Sequence, residues 1–476
     1  MSVITPATSR TVNPGAIASL REAITGRVIT PADPVYNKAR AVWNGMIDRY
    51  PALVARCATA GDVIAAVAFA SAHDLPVAVR GGGHSVAGHS TCDGGIVIDL
   101  SPMKQIDIDP VARVAHAGGG VTWGELDAAT QQYGLATPGG VFSRTGIAGL
   151  TLGGGFGWLS ATYGLSCDNL IEAEVITADG RVIVASEDEN PELLWGLRGG
   201  GGNFGIVTRF TYRLHPVGPE TYLAVVLHDG EGEATERTLR FFRDYCATAP
   251  DEVNLIAVCG VVPAHEEVYP KATHGRRYVM LGGHYAGPVA EGERFLRPLR
   301  DFAEPLVDFS GAMPYLDVQK LWDEEYPDAD RYYWKSLNIS GFDDEVISRI
   351  ATHAPRQPSP LSTTDIWHVG GAVRRARLDG SAFRGRDAAF LLSPSSHWVD
   401  PAEDTSNVRW AREFVAAMEP YSDGSRYLNF AGFLEEGEVM MRSSFGPHYD
   451  RLLALKRRYD PTNLFRLNQN IDPAGG

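Results

Sequence analysis

Three glycine clusters constrain this chain more than any other feature: RGGGHS at residues 80–85, GGVFSRTGIAGLTLGGGFGWLS at 139–160 and GGGGNFG at 199–205. Glycine has no Cβ, so such runs accept positive φ and bring backbone close to other groups. Consecutive free N–H groups in that conformation make a concave donor surface suited to a pyrophosphate. One glycine-rich turn beside a satisfied histidine would be unremarkable. Three within one half of the chain, with His84 in the first and Cys167 just beyond the second, predict loops gathered around one phosphate-bearing ligand.

The segments between the clusters read as alternating strands and helices. Residues 52–58 read as a strand, VIAAVAFASAHD as a helix and PVAVR (76–80) as a second strand, which makes a β-α-β unit. GGIVIDL (94–100) and residues 111–117 predict further strands, and residues 122–132 a helix ended by Gly134. IEAEVITADG and RVIVAS form a hairpin about Asp179–Gly180. IVTRFTYRLHP closes this half near Pro216. Before it, residues 1–35 read as a polar arm broken by prolines, with a short helix over 16–24. From residue 219 the glycines thin out: strands are expected at 222–228, 255–262, 277–284 and 367–373, with helices at 234–248 and 292–299. That pattern predicts an α+β chain whose second part is a large antiparallel sheet flanked by helices.

With 476 residues the chain exceeds a single core. Its formal charge of −15 argues against nucleic acid, which needs a basic footprint. No apolar run reaches membrane-spanning length. The five cysteines, Cys57, Cys92, Cys167, Cys246 and Cys259, contain no CxxC pair, so neither a disulfide scaffold nor zinc is expected. His89 follows His84 by five residues without a carboxylate or thiolate at metal spacing and is assigned to loop structure. The first twenty residues show no basic stretch before an apolar one, which predicts cytoplasmic residence. An NAD site is disfavoured because no G-x-G-x-x-G lies between a strand and a helix with an acidic residue further on.

The clusters RGGGHS, GGVFSRTGIAGLTLGGGFGWLSATYGLSCDNL and GGGGNFGIVT, with the closing YDPTNLFRLNQNI, together resemble the berberine bridge enzyme-like branch of the vanillyl-alcohol oxidase/PCMH flavoproteins. The resemblance covers nearly the whole chain. It implies a PCMH-type FAD-binding domain of two α/β lobes over residues 1–217, completed by 428–476, and a substrate-binding domain over 218–427. It further implies covalent FAD, attached through His84 and Cys167. Contacts to the cofactor are expected from Arg80, Gly81, Gly82, Gly83, Ser85, Ser143, Gly146, Gly149, Gly154, Gly155, Val207, Asn468 and Asn470.

The implied chemistry is hydride transfer from a small-molecule alcohol, amine or phenolic carbon of a natural product or sugar, with dioxygen reduced to hydrogen peroxide. Relatives carry a tyrosine base at the end of a Y-x-N-Y pattern, where this chain reads Tyr427-Leu428-Asn429-Phe430. Phe430 accepts no proton, so Lys335, His368 and Tyr427 become the candidate bases. Leu170 stands where the branch gates dioxygen, which keeps a dehydrogenase with another acceptor open, as it does a flavin-binding protein without turnover. Tyr315, Trp322, Tyr332, Tyr333, Trp334, Trp367 and Trp398 are divided between core and pocket. A monomer or homodimer is expected.

Overall fold

A computed structural model of the chain describes residues 12–264, 268–433 and 437–475. The start of the expected arm lies outside the described residues; the helix within it runs Pro14–Ala23, capped by the Asn13 side chain. Two small sheets come next. The first has four strands in the order Arg27–Ile29, Leu53–Arg56, Ile96–Asp99, Val77–Arg80. Its last three strands run parallel. The helix Ala60–Ala72 links two of them, capped by Thr59 and burying Val63, Ala66, Val67 and Ala70 in the core of this lobe. Such an alanine- and valine-rich face lets a helix lie close on a parallel sheet buried on both sides.

The second sheet is antiparallel, in the order Ile106–Asp109, Val114–Gly118, Ile206–Arg213, Leu170–Ile176, Val182–Ser186. The first glycine cluster follows Val77–Arg80 and the third precedes Ile206–Arg213, while the second follows the short strand Leu135–Ala136, which pairs with His215–Pro216. The expected strand over 111–117 starts later, at Val114, because Arg113 takes a positive φ of 56° and turns the chain first.

The third sheet has nine strands. Its main path is Val307–Asp308, Glu220–Asp229, Arg277–Tyr285, Asn254–Val261, Thr363–His368, Phe390–Trp398, Arg331–Trp334. Helices Glu233–Cys246, Val289–Asp301, Asp344–His353 and Asp404–Met418 cover one face through Leu239, Leu296, Ile347 and Phe414. The other face turns toward the glycine loops through Val258, Met280, Trp367 and Leu391, which pack with Phe156 and Tyr427. The expected strand over 367–373 is displaced: the strand is Thr363–His368 and a helix, Gly371–Arg375, follows. Gly371 has φ +55°, and a Cβ there would lie 2.2 Å from the carbonyl oxygens of Ala161 and Asp251. The chain is forced to turn there rather than extend.

The C-terminal helix Tyr449–Tyr459 returns to the first half of the chain. Lys456 and Asp460 form an ion pair at 2.7 Å with neither side chain exposed. Lys456 Nζ also donates to the carbonyls of Asn203, in the third glycine loop, and Phe465, while Asp460 accepts the amides of Leu464 and Phe465. A buried pair is tolerable only when its remaining donors and acceptors are used in this way.

Candidate active site

One elongated cavity runs between the lobes and the large sheet, and all three glycine loops line it: Gly81–Gly83, Gly146 with Gly149, and Gly199–Gly202. The first two loops meet at Gly82 and Gly146, where a Cβ on either would sit 2.4 Å from the other's amide nitrogen. Gly83 adopts φ +74°, which turns the chain so that His84 and Ser85 also face the cavity. Residues 427–431 and 467–469 close it from the C-terminal end of the chain.

Polar atoms without partners mark the walls. His89 Nε2, Ser90 Oγ, Asn468 Oδ1 and Gln469 Oε1 are buried, lack hydrogen bonds and belong to cavity-lining residues. Each such group costs about 1–3 kcal/mol if left unsatisfied, so the cavity suits a ligand rich in donors and acceptors. Glycine backbone and orphaned polar groups fit the phosphates, sugars and ring edge of FAD. Burial, with Arg49 adding to it, pushes the His89 pKa down to about 4. His89 is therefore a neutral ring on the cavity wall, with Nε2 unpartnered.

His84 stacks on Trp43 at 4.0 Å and 14°, and the Phe142 ring lies 5.8 Å away at 26°. Burial and then the Arg144 charge lower its pKa to about 3. The imidazole is neutral at physiological pH, with a nitrogen lone pair available.

Of the expected cofactor contacts, Gly81, Gly82, Gly83, Ser85, Gly146, Gly149, Val207 and Asn468 line the cavity together with His84. The others are placed differently. Arg80 spends its guanidinium on the carbonyls of Ala39, Arg40 and Ser90, inside the lobe. Ser143 bonds Asp323 through both its amide and its hydroxyl. Gly154 and Gly155 lie behind the wall, against Phe383 and Ser166. Asn470 is near the closing segment, its Oδ1 unpaired, but does not line the cavity.

Cys167 is not brought to the cavity wall either. Its side chain is fully buried in an apolar cluster with Leu165, Phe156 and Tyr427, its amide donates to Gly154 and its sulfur faces Asp168 at 3.8 Å. Burial first, then the Asp168 carboxylate, push the thiol well above its usual range. Only the thiolate is nucleophilic, and burial disfavours that form here.

The three expected bases separate in the same way. Tyr427 lines the cavity, yet its phenolic oxygen is occupied by N–H donors from Gly155 and Phe156 at 3.2 Å and Asn429 at 3.0 Å. Burial, which outweighs those hydrogen bonds, raises its pKa. Tyr427 is therefore a pin joining the second glycine loop to the C-terminal segment. Phe430 packs edge-on against it at 4.8 Å. Lys335 occupies the two-residue break between Arg331–Trp334 and Leu337–Ile339, its backbone held by Pro394 and Ser393, away from the cavity lining. His368 contacts Phe390 at 5.5 Å, on the helix-covered side of the sheet, and burial drives its pKa down to about 4.

The aromatic residues divide between core and site. Tyr333 and Trp398 pack under the helices, and Trp334 lines the cavity.

A residue that carries no motif now stands out. Asp365 shares the strand Thr363–His368 with Trp367, two positions on, and so points to the same face of the sheet, without itself lining the cavity. Its carboxylate accepts from Thr363 at 2.8 Å and Ser395 at 2.8 Å. The Tyr326 hydroxyl lies 3.5 Å from that threonine. Burial lifts the Asp365 pKa to about 6, with the two hydroxyl donors acting in the opposite direction.

Among the described residues, no helix is long and apolar enough to cross a membrane, and no cluster of histidine, cysteine and carboxylate side chains is arranged to hold a metal ion.

Comparison with known proteins agrees with the geometry. Residues 51–186 match the model of an FAD binding domain and residues 426–472 that of the berberine and berberine-like segment. The chain is 31% identical to the uncharacterized FAD-linked oxidoreductase YgaK of Bacillus subtilis, over 94% of this chain and 97% of the relative. It is 32% identical to (R)-6-hydroxynicotine oxidase of Paenarthrobacter nicotinovorans, over 95% and 98%. The crystal structure of 6-hydroxy-D-nicotine oxidase from Arthrobacter nicotinovorans superposes with a TM-score of 0.84 at 31% identity, covering 94% of this chain and 98% of that one. Xylooligosaccharide oxidase from Myceliophthora thermophila shares the fold, with a TM-score of 0.85 at 23% identity, over 97% and 100%.

Proposed function

The chain belongs to the berberine bridge enzyme-like FAD-linked oxidoreductases, and from that premise we propose that it is an oxidase that removes a hydride from a small alcohol, amine or sugar and passes the electrons to dioxygen, giving hydrogen peroxide. FAD supplies the two-electron acceptor. Residues 1–217 with 428–476 form the cofactor-binding unit in this reading, and 218–427 the substrate unit. The three glycine loops hold the dinucleotide, His84 tethers it, and Phe142, Trp334 and Phe430 wall the end of the cavity nearest the large sheet. Cys167 lies off the cavity wall, so this reading rests on the His84 link alone.

The observation that carries the catalytic reading is Asp365. It stands on the face of the sheet that turns toward the glycine loops, one layer behind the cavity lining. With a pKa raised to about 6 by burial it would be ionised at neutral pH and basic enough to take the proton of a substrate O–H or N–H that reaches it as the adjacent C–H bond breaks. Thr363 and Ser395 hold it in one orientation. An amine is a natural candidate, since aromatic rings and a carboxylate favour a cationic group, and a relative of 32% identity is named for oxidation of a hydroxynicotine.

Anaerobic mixing of the holoenzyme with a panel of amines, alcohols and oligosaccharides tests the reading. Bleaching of the flavin absorbance identifies the substrate class, and air must restore the colour within seconds. Reduced flavin that persists for minutes in air would mean a dehydrogenase with another acceptor. No bleaching by any class would mean a flavin-binding protein without turnover.

A further inference from the structure

Behind His84 stands a column of rings that the reaction itself does not use. Trp43 stacks on His84 at 4.0 Å, Tyr332 stacks on Trp43 at 3.8 Å and 12°, and His397 stacks on Tyr332 at 4.6 Å and 27°. His397 is hydrogen-bonded to Asp330 at 2.9 Å. Trp43 is almost fully buried, and its indole N–H donates to the Tyr326 carbonyl at 3.1 Å, which fixes the ring in its own plane. The same short segment clamps the backbone on both sides. The Trp43 amide donates to Gly83 and its carbonyl accepts from Ala329, while the Asn44 side chain donates to Val86 and to Tyr332.

Trp43 thus covers one face of the imidazole in close stacking, while the ring itself belongs to the cavity lining. We propose that Trp43 is a positioning residue for covalent attachment: it holds the plane of His84 so that a ring nitrogen meets the 8-methyl carbon of FAD. The inference rests on the reading that His84 is the tether. In the step, a carbon–nitrogen bond forms and the methyl group loses one hydrogen and the imidazole another. The two electrons released leave with those protons on dioxygen, as hydrogen peroxide. Attachment requires an attack geometry, and misplacement of a reacting atom by about 1 Å can cost on the order of a hundredfold in rate.

The test compares purified full-length wild type with Trp43→Ala and Trp43→Phe, each measured twice. Native absorbance gives total flavin per chain, and acid precipitation gives the share that stays with the polypeptide. The expected result is unchanged total flavin in Trp43→Ala with an acid-stable share lowered at least about tenfold, and recovery of most of that share in Trp43→Phe, which restores a stacking face. Equal acid-stable shares in wild type and Trp43→Ala overturn the proposal. So does a parallel loss of total flavin, which would make Trp43 a structural residue of the cavity. Release of all flavin from the wild type would instead overturn the tether itself, and His84→Ala marks that limit. If Trp43→Ala does not fold, Tyr332→Leu strips the backing ring while leaving Trp43 in place: a lowered acid-stable share at unchanged total flavin supports the proposal, and a wild-type share overturns it.

Discussion

Gly82 and Gly146 meet backbone to backbone, so close that a Cβ added to either would lie 2.4 Å from the amide nitrogen of the other. The contact joins the first glycine loop to the second and gives the cavity a continuous floor. The motif RGGGHS therefore needs glycine at its centre for packing between loops as much as for ligand approach.

Gly82→Ala is expected to push those loops apart. Overpacking of this kind costs about 1–3 kcal/mol, and flavin content per chain should fall more than thermal stability does. Absorbance of the purified variant, beside its melting temperature, checks this; full flavin occupancy would show that the loops part without harm.

His84→Ala and Cys167→Ala should behave in opposite ways. Acid-precipitated His84→Ala should release its flavin to the supernatant, while Cys167→Ala should retain it, because the buried protonated thiol sits off the cavity wall. Release from Cys167→Ala would restore the second tether.

Asp365→Asn removes the proposed base. A drop in kcat/KM of about 10²–10⁴-fold is expected. In the wild type, kcat/KM should rise as pH climbs through about 6, where the carboxylate would lose its proton. That limb should vanish in the variant. A wild-type limb in Asp365→Asn would assign it to another group.

Asp127 offers a pH-dependent stability effect remote from the chemistry. It is buried between the cofactor lobe and the large-sheet unit, with one oxygen accepting from Gln319 at 2.8 Å and the other unpaired, and burial raises its pKa to about 7. The unfolded value is near 3.9. The folded state thus binds the proton more tightly, and stability contributed by the protonated form is lost as pH rises from about 4 through 7. Asp127→Asn cannot ionise, so it should melt about 2–4 °C above wild type at pH 8.5, with a clearly smaller gain at pH 5, where the loss has only begun. Equal melting curves at pH 8.5 would place the carboxylate in contact with water.

The glycine loops, the helix Ala60–Ala72 and the hairpin at Gly180 were legible in the chain because each depends on residues adjacent in sequence. Asp365 was not. A single aspartate between threonine and isoleucine carries no pattern, and its basicity arises from burial by strands and loops distant in sequence. Lys335 and His368 were singled out for their aromatic neighbours, but which way a strand residue points depends on register, and displacement of the 367–373 strand to Thr363–His368 put His368 on the helix side. Cys167 shows a related limit. Its motif is recognisable, but the direction of its sulfur is set by the Gly154–Gly155 turn and by Asp168, which is paired with the buried Arg386.

The Lys456–Asp460 pair has a consequence for when the protein becomes functional. Lys456 binds the carbonyl of Asn203, 253 residues earlier, and Leu467, Asn468 and Gln469 complete the cavity wall. The core of the antiparallel small sheet itself takes in Leu452, Leu453, Leu455 and Tyr459 from the helix that carries Lys456, so neither this lobe nor the pocket is complete before the helix is in place. A chain truncated before Lys456 should therefore bind no flavin and be colourless.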